Sequence, residues 1–118
     1  MDITKEQLSE DFAVKILRVV DILKNQKGET IVSRQLCKSG TSIGANIAES
    51  NYAESVQDFI HKLSISQKEC NETLYWLRIL RRTDYIDQYL FDELYQDCER
   101  LMKIVSSIII KVKKRNIV

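Results

Sequence analysis

Asp58 and His61 stand three residues apart in a stretch of helical periodicity, so the two side chains would share one face of a helix. In helical bundles a carboxylate and a histidine at this spacing form half of a di-iron or di-manganese site, which needs a second such pair and two further glutamates. His61 is the only histidine in the chain. The second half is missing, and His61 reads as a surface residue near the start of a helix. A cysteine nucleophile served by His61 fares no better, because Cys70 lies two and a half turns further along the same helix. Cys37, Cys70 and Cys98 are odd in number, far apart and set within apolar stripes, which suits packed, reduced thiols rather than disulfides. No zinc-like Cys/His spacing, glycine-rich phosphate loop or nucleophile elbow occurs. The expectation is a protein that is not an enzyme and has no metal, cofactor or small-molecule substrate.

Charge directs attention to surfaces instead. Eighteen basic against seventeen acidic residues leave a net charge of +1, so no overall field attracts a polyanion and any nucleic-acid binding needs a local patch. Two clusters stand out: Arg78, Arg81 and Arg82, and Lys111, Lys113, Lys114 and Arg115. Cations at helix C-termini are expected from the helix dipole alone. The second cluster would also lie beside Asp2, Glu6, Glu10, Asp11, Glu49, Glu54 and Asp58, which would neutralise much of it. The first cluster, joined by Lys24, Lys27 and Arg34 and opposed by Glu29, Asp84 and Asp87, is the better candidate for RNA or DNA. Binding there would be led by phosphates and sensitive to salt, with Tyr75, Tyr85, Tyr89 and Tyr95 as stacking faces.

The elements that would carry these residues are helices throughout. Apolar residues recur at helical spacing along 118 residues, with no proline and no period-two strand. Thr4 and Gln7 form a capping box before the stripe Leu8, Phe12, Ile16, Val19 and Leu23, and Lys27-Gly28 closes this first helix. A second helix starts near Thr30, buries Leu36, Gly40, Ile43 and Ile47, and ends near Asn51 or Tyr52. A third opens at Ser55, with Asp58 in its first turn, and buries Val56, Ile60, Leu63, Gln67, Cys70, Leu74 and Leu77. A fourth begins around Asp87 and carries the heptad seam Phe91, Leu94, Cys98, Leu101, Val105, Ile108 and Val112. Four helices of about 22 residues with short turns specify an all-α, antiparallel up-down four-helix bundle in one domain, residues 1–118. The apolar runs are too short to span a membrane and the N-terminus is acidic and polar, so a cytoplasmic protein is expected.

Two features exceed what a lone bundle requires. Ile65, Glu69, Glu72, Trp76 and Ile79 form a second stripe on the third helix, almost opposite its core stripe, which predicts packing against another copy of the chain. Glu69 and Glu72 would then need partners on the neighbour. On the second helix, Cys37, Thr41, Gly44 and Ala48 with Gly40 make a side of small residues; close approach of another helix is the preferred account and a kink near Ser39 to Ser42 the competitor. Ser42, Asn46 and Glu49 lie on a different side, where a hydrogen-bonded network fixing helix register is preferred over contact with an assembly neighbour or ligand.

The residues Ser42, Ile43, Asn46, Ile47, Ala48 and Glu49 match a Ser-Ile-x-x-Asn-Ile-Ala-Glu pattern. Phe59, Leu63, Ile65 and Glu72 match a second block. On these motifs the chain resembles, over nearly its whole length, the bacterial four-helix-bundle family of ribosomal RNA intervening-sequence proteins and diversity-generating retroelement accessory proteins. Many relatives carry Pro-Ser where this chain has Gly44-Ala45, and a Gly where it has Ser50. The resemblance implies a ring of bundles, typically a homopentamer. For the retroelement branch it implies an accessory role binding RNA or DNA and a reverse transcriptase. Members of that branch tend to be strongly basic, and this chain is not. The expected function is a self-assembling adaptor that binds nucleic acid or a protein partner through ring faces. The alternative is a structural or protein-interaction module with no nucleic-acid affinity.

Overall fold

A computed structural model describes residues 3–116. These form four helices: α1 (Lys5–Asn25), α2 (Ile31–Ser50), α3 (Val56–Arg82) and α4 (Gln88–Arg115). Local chemistry starts most of them. Thr4, Ser55 and Asp87 each accept a hydrogen bond from the backbone N–H three residues on, from Gln7, Asp58 and Leu90 at 3.1, 3.0 and 2.8 Å. Such caps satisfy donors that the helix itself leaves free. At α3 a second bond adds to the cap, since Asp58 Oδ2 accepts the N–H of Glu54, the residue before Ser55, at 3.1 Å.

α2 starts where the sequence places it, with Thr30 at the N-cap position, but the cap itself comes from elsewhere. Thr30 makes no side-chain cap. Glu29 does the work instead: its Oε1 accepts the Ser33 N–H at 2.7 Å, and its carbonyl accepts the Ser33 hydroxyl at 2.7 Å. The glutamate side chain reaches one residue further than a threonine hydroxyl and brings a charge to the positive end of the helix. Gly28, at φ 67°, allows the tight reversal before it, in which the Glu29 N–H meets the Leu23 carbonyl at 2.8 Å.

Chain neighbours are spatial neighbours. α1 packs on α2, α2 on α3 and α3 on α4, while the α1–α4 contact is the sparsest and carries the Lys15 ion pairs to Glu93 and Asp97 at 3.0 and 2.7 Å. The closed core contains the whole predicted α1 stripe, with Leu36, Ile43 and Ile47 of α2, Leu63, Cys70, Leu74 and Leu77 of α3, and Leu94, Cys98, Leu101 and Val105 of α4.

Six predicted core positions, Val56, Ile60, Gln67, Phe91, Ile108 and Val112, lie outside the closed core, and three of them show why. Val56, in the first turn of α3, is 46% exposed because no further turn covers it at the end of the bundle. Gln67 is half-buried and donates to Ser106 Oγ at 2.7 Å, a polar link between α3 and α4. On α4 the buried position is Ile109 rather than Ile108, because an α-helix turns every 3.6 residues and drifts away from a strict seven-residue repeat.

The glycines answer to close packing. A Cβ on Gly40 would meet Ile16 Cγ1 and Cγ2 at 2.9 and 3.0 Å, and one on Gly44 would meet Ser9 Oγ and Cβ at 3.0 and 3.2 Å. α2 runs unbroken through both positions. The small side of α2 is therefore where α1 comes close.

Candidate functional site

Buried hydroxyls stitch the α2–α3 interface. Ser66 donates to the Ile43 carbonyl at 3.0 Å, Thr73 Oγ1 lies 2.9 Å from Ser39 Oγ, and Thr73 also donates to the Glu69 carbonyl at 2.8 Å. Satisfied polar groups of this kind set the register of two packed helices. Outside this line the antiparallel pairing continues in charge: Glu49 bridges Lys62 at 3.2 Å, and Lys38 acts on the Glu69 carboxylate.

That outer edge is where two sets of predicted residues meet. Ile65, Glu69, Glu72, Trp76 and Ile79 are all half-buried along α3. The Trp76 ring packs partly against the core, its indole N–H donates to Glu72 Oε1 at 3.3 Å, and Tyr75 stands edge-on at 4.9 Å. Beside them on α2, Ser42 donates to the Lys38 carbonyl at 2.6 Å and Asn46 to the Ser42 carbonyl at 2.8 Å, within the helix and away from α3 hydroxyls. The Glu69 carboxyl is raised above the usual carboxylate range by burial first and by the charge of Glu72 second, with Lys38 and Lys68 pulling the other way. Covering this edge would desolvate Glu69 further, so whatever covers it must supply a donor or a cation.

At one end of the bundle lie Lys24, Lys27, Arg34, Arg78, Arg81 and Arg82, brought together by the ends of α1 and α3 and the start of α2. Several are already engaged. Lys27 donates to the Tyr85 carbonyl at 2.7 Å, Arg78 to the Tyr95 hydroxyl at 2.9 Å, and Arg81 to Gln88 Oε1 and Asp84 Oδ1, both at 3.1 Å. Lys24, Arg34 and Arg82 are exposed. Between α1 and the α3–α4 turn there is a cavity of about 400 Å³, with Val19, Leu23 and Ile86 among its apolar lining and Lys27 and Arg81 among its polar residues.

The opposite end holds a feature that the sequence reading passed over. None of the described acids expected to neutralise the end of α4 forms an ion pair with it, and three are engaged elsewhere: Glu6 with Lys5 at 2.9 Å, Glu49 with Lys62, and Asp58 with the Glu54 N–H. Asp2 lies outside the described residues. The signal was present as a partition of charge. From Asp84 to Glu99 there are six acids and no cation, and from Arg100 to Arg115 six cations and no acid.

His61 is exposed and Cys70 buried, so the two do not form a reactive pair. Cys98 Sγ donates to the Cys70 carbonyl at 3.4 Å, and the neighbouring Cys70 side chain first and burial second push the Cys98 thiol up. Cys37, the remaining cysteine, is half-buried and reduced. Among the described residues no group of three or more His, Cys, Asp or Glu side chains is placed to hold a metal ion. No helix among them is long and apolar enough to cross a membrane.

The model of one family, described as 23S rRNA-intervening sequence protein, matches residues 1–107. The chain belongs to that family. The expectation carried by Ser42, Asn46, Glu49 and Glu72 is thereby met at the level of family and fold. Among solved structures, a protein of unknown function from the S23 ribosomal protein family of Bacteroides thetaiotaomicron VPI-5482 is similar at 43% identity and a TM-score of 0.89. The likeness covers 90% of this chain and 98% of that one. No curated protein matches the chain. For this intervening-sequence family member, functional reading therefore rests on its surfaces.

Proposed function

We propose that this intervening-sequence family member is a non-enzymatic, self-assembling adaptor. Its outer α2–α3 edge meets another copy of the chain, and its exposed cations reach nucleic acid or a nucleic-acid enzyme. The observation that carries the reading is the position of Trp76. The only tryptophan lies half-buried, its ring only partly packed on the core, on an edge that also holds Ile65 and Ile79. Aromatic side chains in such a position are typical anchors of protein interfaces. A ring, with five copies as the precedent from the resemblance, would repeat the basic end around an axis and allow weak phosphate contacts to add.

The test is absolute mass by size-exclusion chromatography with light scattering. The wild-type chain is expected as one oligomer well above 13.8 kDa, and Trp76→Glu, which places a charge in the seam, is expected to run as the 13.8 kDa monomer with helical content retained. A monomeric wild type at working concentration would end the assembly reading and leave Trp76 as a partly covered residue of its own bundle.

A second reading, an interaction module without nucleic-acid affinity at its Arg78 end, has one observation in its favour: Lys27, Arg78 and Arg81 are all hydrogen-bonded within the fold. Charge reversal at Arg78, Arg81 and Arg82 separates the two. The adaptor reading expects weaker retention of RNA and DNA, and unchanged retention would remove this end from it.

A further inference from the structure

We infer that the outer face of the C-terminal half of α4 is a docking surface for double-stranded DNA, gripped through its phosphates. The inference rests on the adaptor reading for the class of partner, and it moves the contact to the end of the bundle opposite Arg78.

Arg100, Lys103, Ser107, Lys111 and Lys114 follow one another at steps of three, four, four and three, and all five are exposed. They form a ridge about 21 Å long at 1.5 Å per residue. The helix dipole explains cations in a last turn, but its influence fades within that turn, and Arg100 and Lys103 stand three turns or more from the end of α4. Among the described residues none of the six cations from Arg100 to Arg115 has a carboxylate within 4.0 Å.

The acidic half of the same helix contrasts with it. Glu93 and Asp97 hold Lys15, Asp87 caps α4, Asp84 holds Arg81, and Asp92 accepts from Gln88. Five of the six acids have a partner within the fold, Glu99 being the exception, whereas none of the six cations is held by a carboxylate. This asymmetry disfavours a second copy laid antiparallel along α4, which would have to find both halves free.

Two further observations narrow the partner. Residues 100–118 include no aromatic side chain, so the ridge offers no platform on which unpaired bases could stack, and a duplex fits better than a single strand. The apolar side of this half-helix is spent on the bundle core, leaving Ile110, at 55% exposure, as the large apolar residue beside the ridge. A helix lying in a membrane surface needs a broad free apolar face, which α4 lacks. A helix with cations along its exposed face matches the roughly 12 Å major groove of B-form DNA, whereas the major groove of duplex RNA is too narrow to admit it.

The test is binding of a fluorescent 20-base-pair DNA duplex across a salt series, with the single strand and duplex RNA of the same sequence and with anionic vesicles as competitors. Four ridge cations predict a slope of log K on log salt of about −3.6, a loss of about 150-fold between 50 and 200 mM. Lys103→Gln with Lys111→Gln is expected to flatten the slope to about −1.8 and weaken binding at 50 mM salt on the order of 100-fold. Both residues are exposed, so helical content should not change. Arg81→Gln with Arg82→Gln should flatten the slope less than the α4 pair does. No duplex binding at 50 mM salt, a slope untouched by the α4 changes, or tighter binding of the single strand, duplex RNA or vesicles would each overturn the inference. A slope flattened only by the Arg81 and Arg82 changes would overturn it as well, while leaving the adaptor reading standing at the opposite end.

Discussion

Gly40→Val is expected to lower the stability of the bundle by about 2–3 kcal/mol in chemical denaturation, despite placing a better helix former than glycine in α2. The reason is geometric. A Cβ alone would meet both γ carbons of Ile16, at 2.9 and 3.0 Å, so no rotation about the Ile16 side chain clears it. Ile16 is fully buried and branched at Cβ, with little room to give. Gly40→Ala is the finer probe, because the roughly 1 kcal/mol gained from helix propensity opposes the strain of overpacking. In the wild-type background the strain should win or break even. In an Ile16→Ala background, itself about 2–5 kcal/mol less stable, the obstruction is gone and the same Gly40→Ala change should stabilise by about 1 kcal/mol. The change of sign is what identifies close approach. A full propensity gain in the wild-type background would mean that α1 and α2 are further apart than described.

The second large effect separates two residues that share a place in the predicted core. Phe12→Ala is expected to cost about 3–5 kcal/mol, since the ring is 1% exposed and its loss leaves a cavity at the centre of the α1 stripe. Val56→Ala should cost less than about 0.5 kcal/mol, because the side chain is 46% exposed and alanine is the better helix former. Equilibrium denaturation of the two variants at several protein concentrations is the measurement. A Val56→Ala cost that rivals Phe12→Ala would contradict the exposed first turn of α3.

These cases show where the fold could be read from sequence and where it could not. Thr4, Ser55 and Asp87 announce helices because a cap and its target are three residues apart and need no tertiary partner. The start of α2 near Thr30 was legible, but its cap was not: the Ser33 N–H is taken by Glu29, which the turn through Gly28 brings to the start of the helix. Heptad extrapolation found the buried positions along the middle of each core stripe except Gln67, which links α3 to α4 through Ser106. It failed at the ends, where Val56 has no turn above it and the buried position of α4 has drifted to Ile109. The glycines posed a question in sequence that only Ile16 and Ser9 on α1 could settle. Surface charge was the least legible. The net value of +1 and the assumption that nearby acids neutralise nearby bases concealed which charges are engaged, and that depends on pairings such as Lys15 with Glu93 across 78 positions of chain.

The order of packing also bears on how the chain reaches its fold. Each helix rests mainly on its predecessor and successor, and only the thin α1–α4 contact joins residues far apart in sequence. Rates of folding rise as contacts become more local, because little loop entropy is lost before each contact forms. The topology therefore favours rapid collapse through successive hairpins, with α2 and α3 the most extensively packed pair. The bridge from Lys15 to Glu93 and Asp97 would close last, since it joins the first helix to the final one and has the least buried surface to hold it.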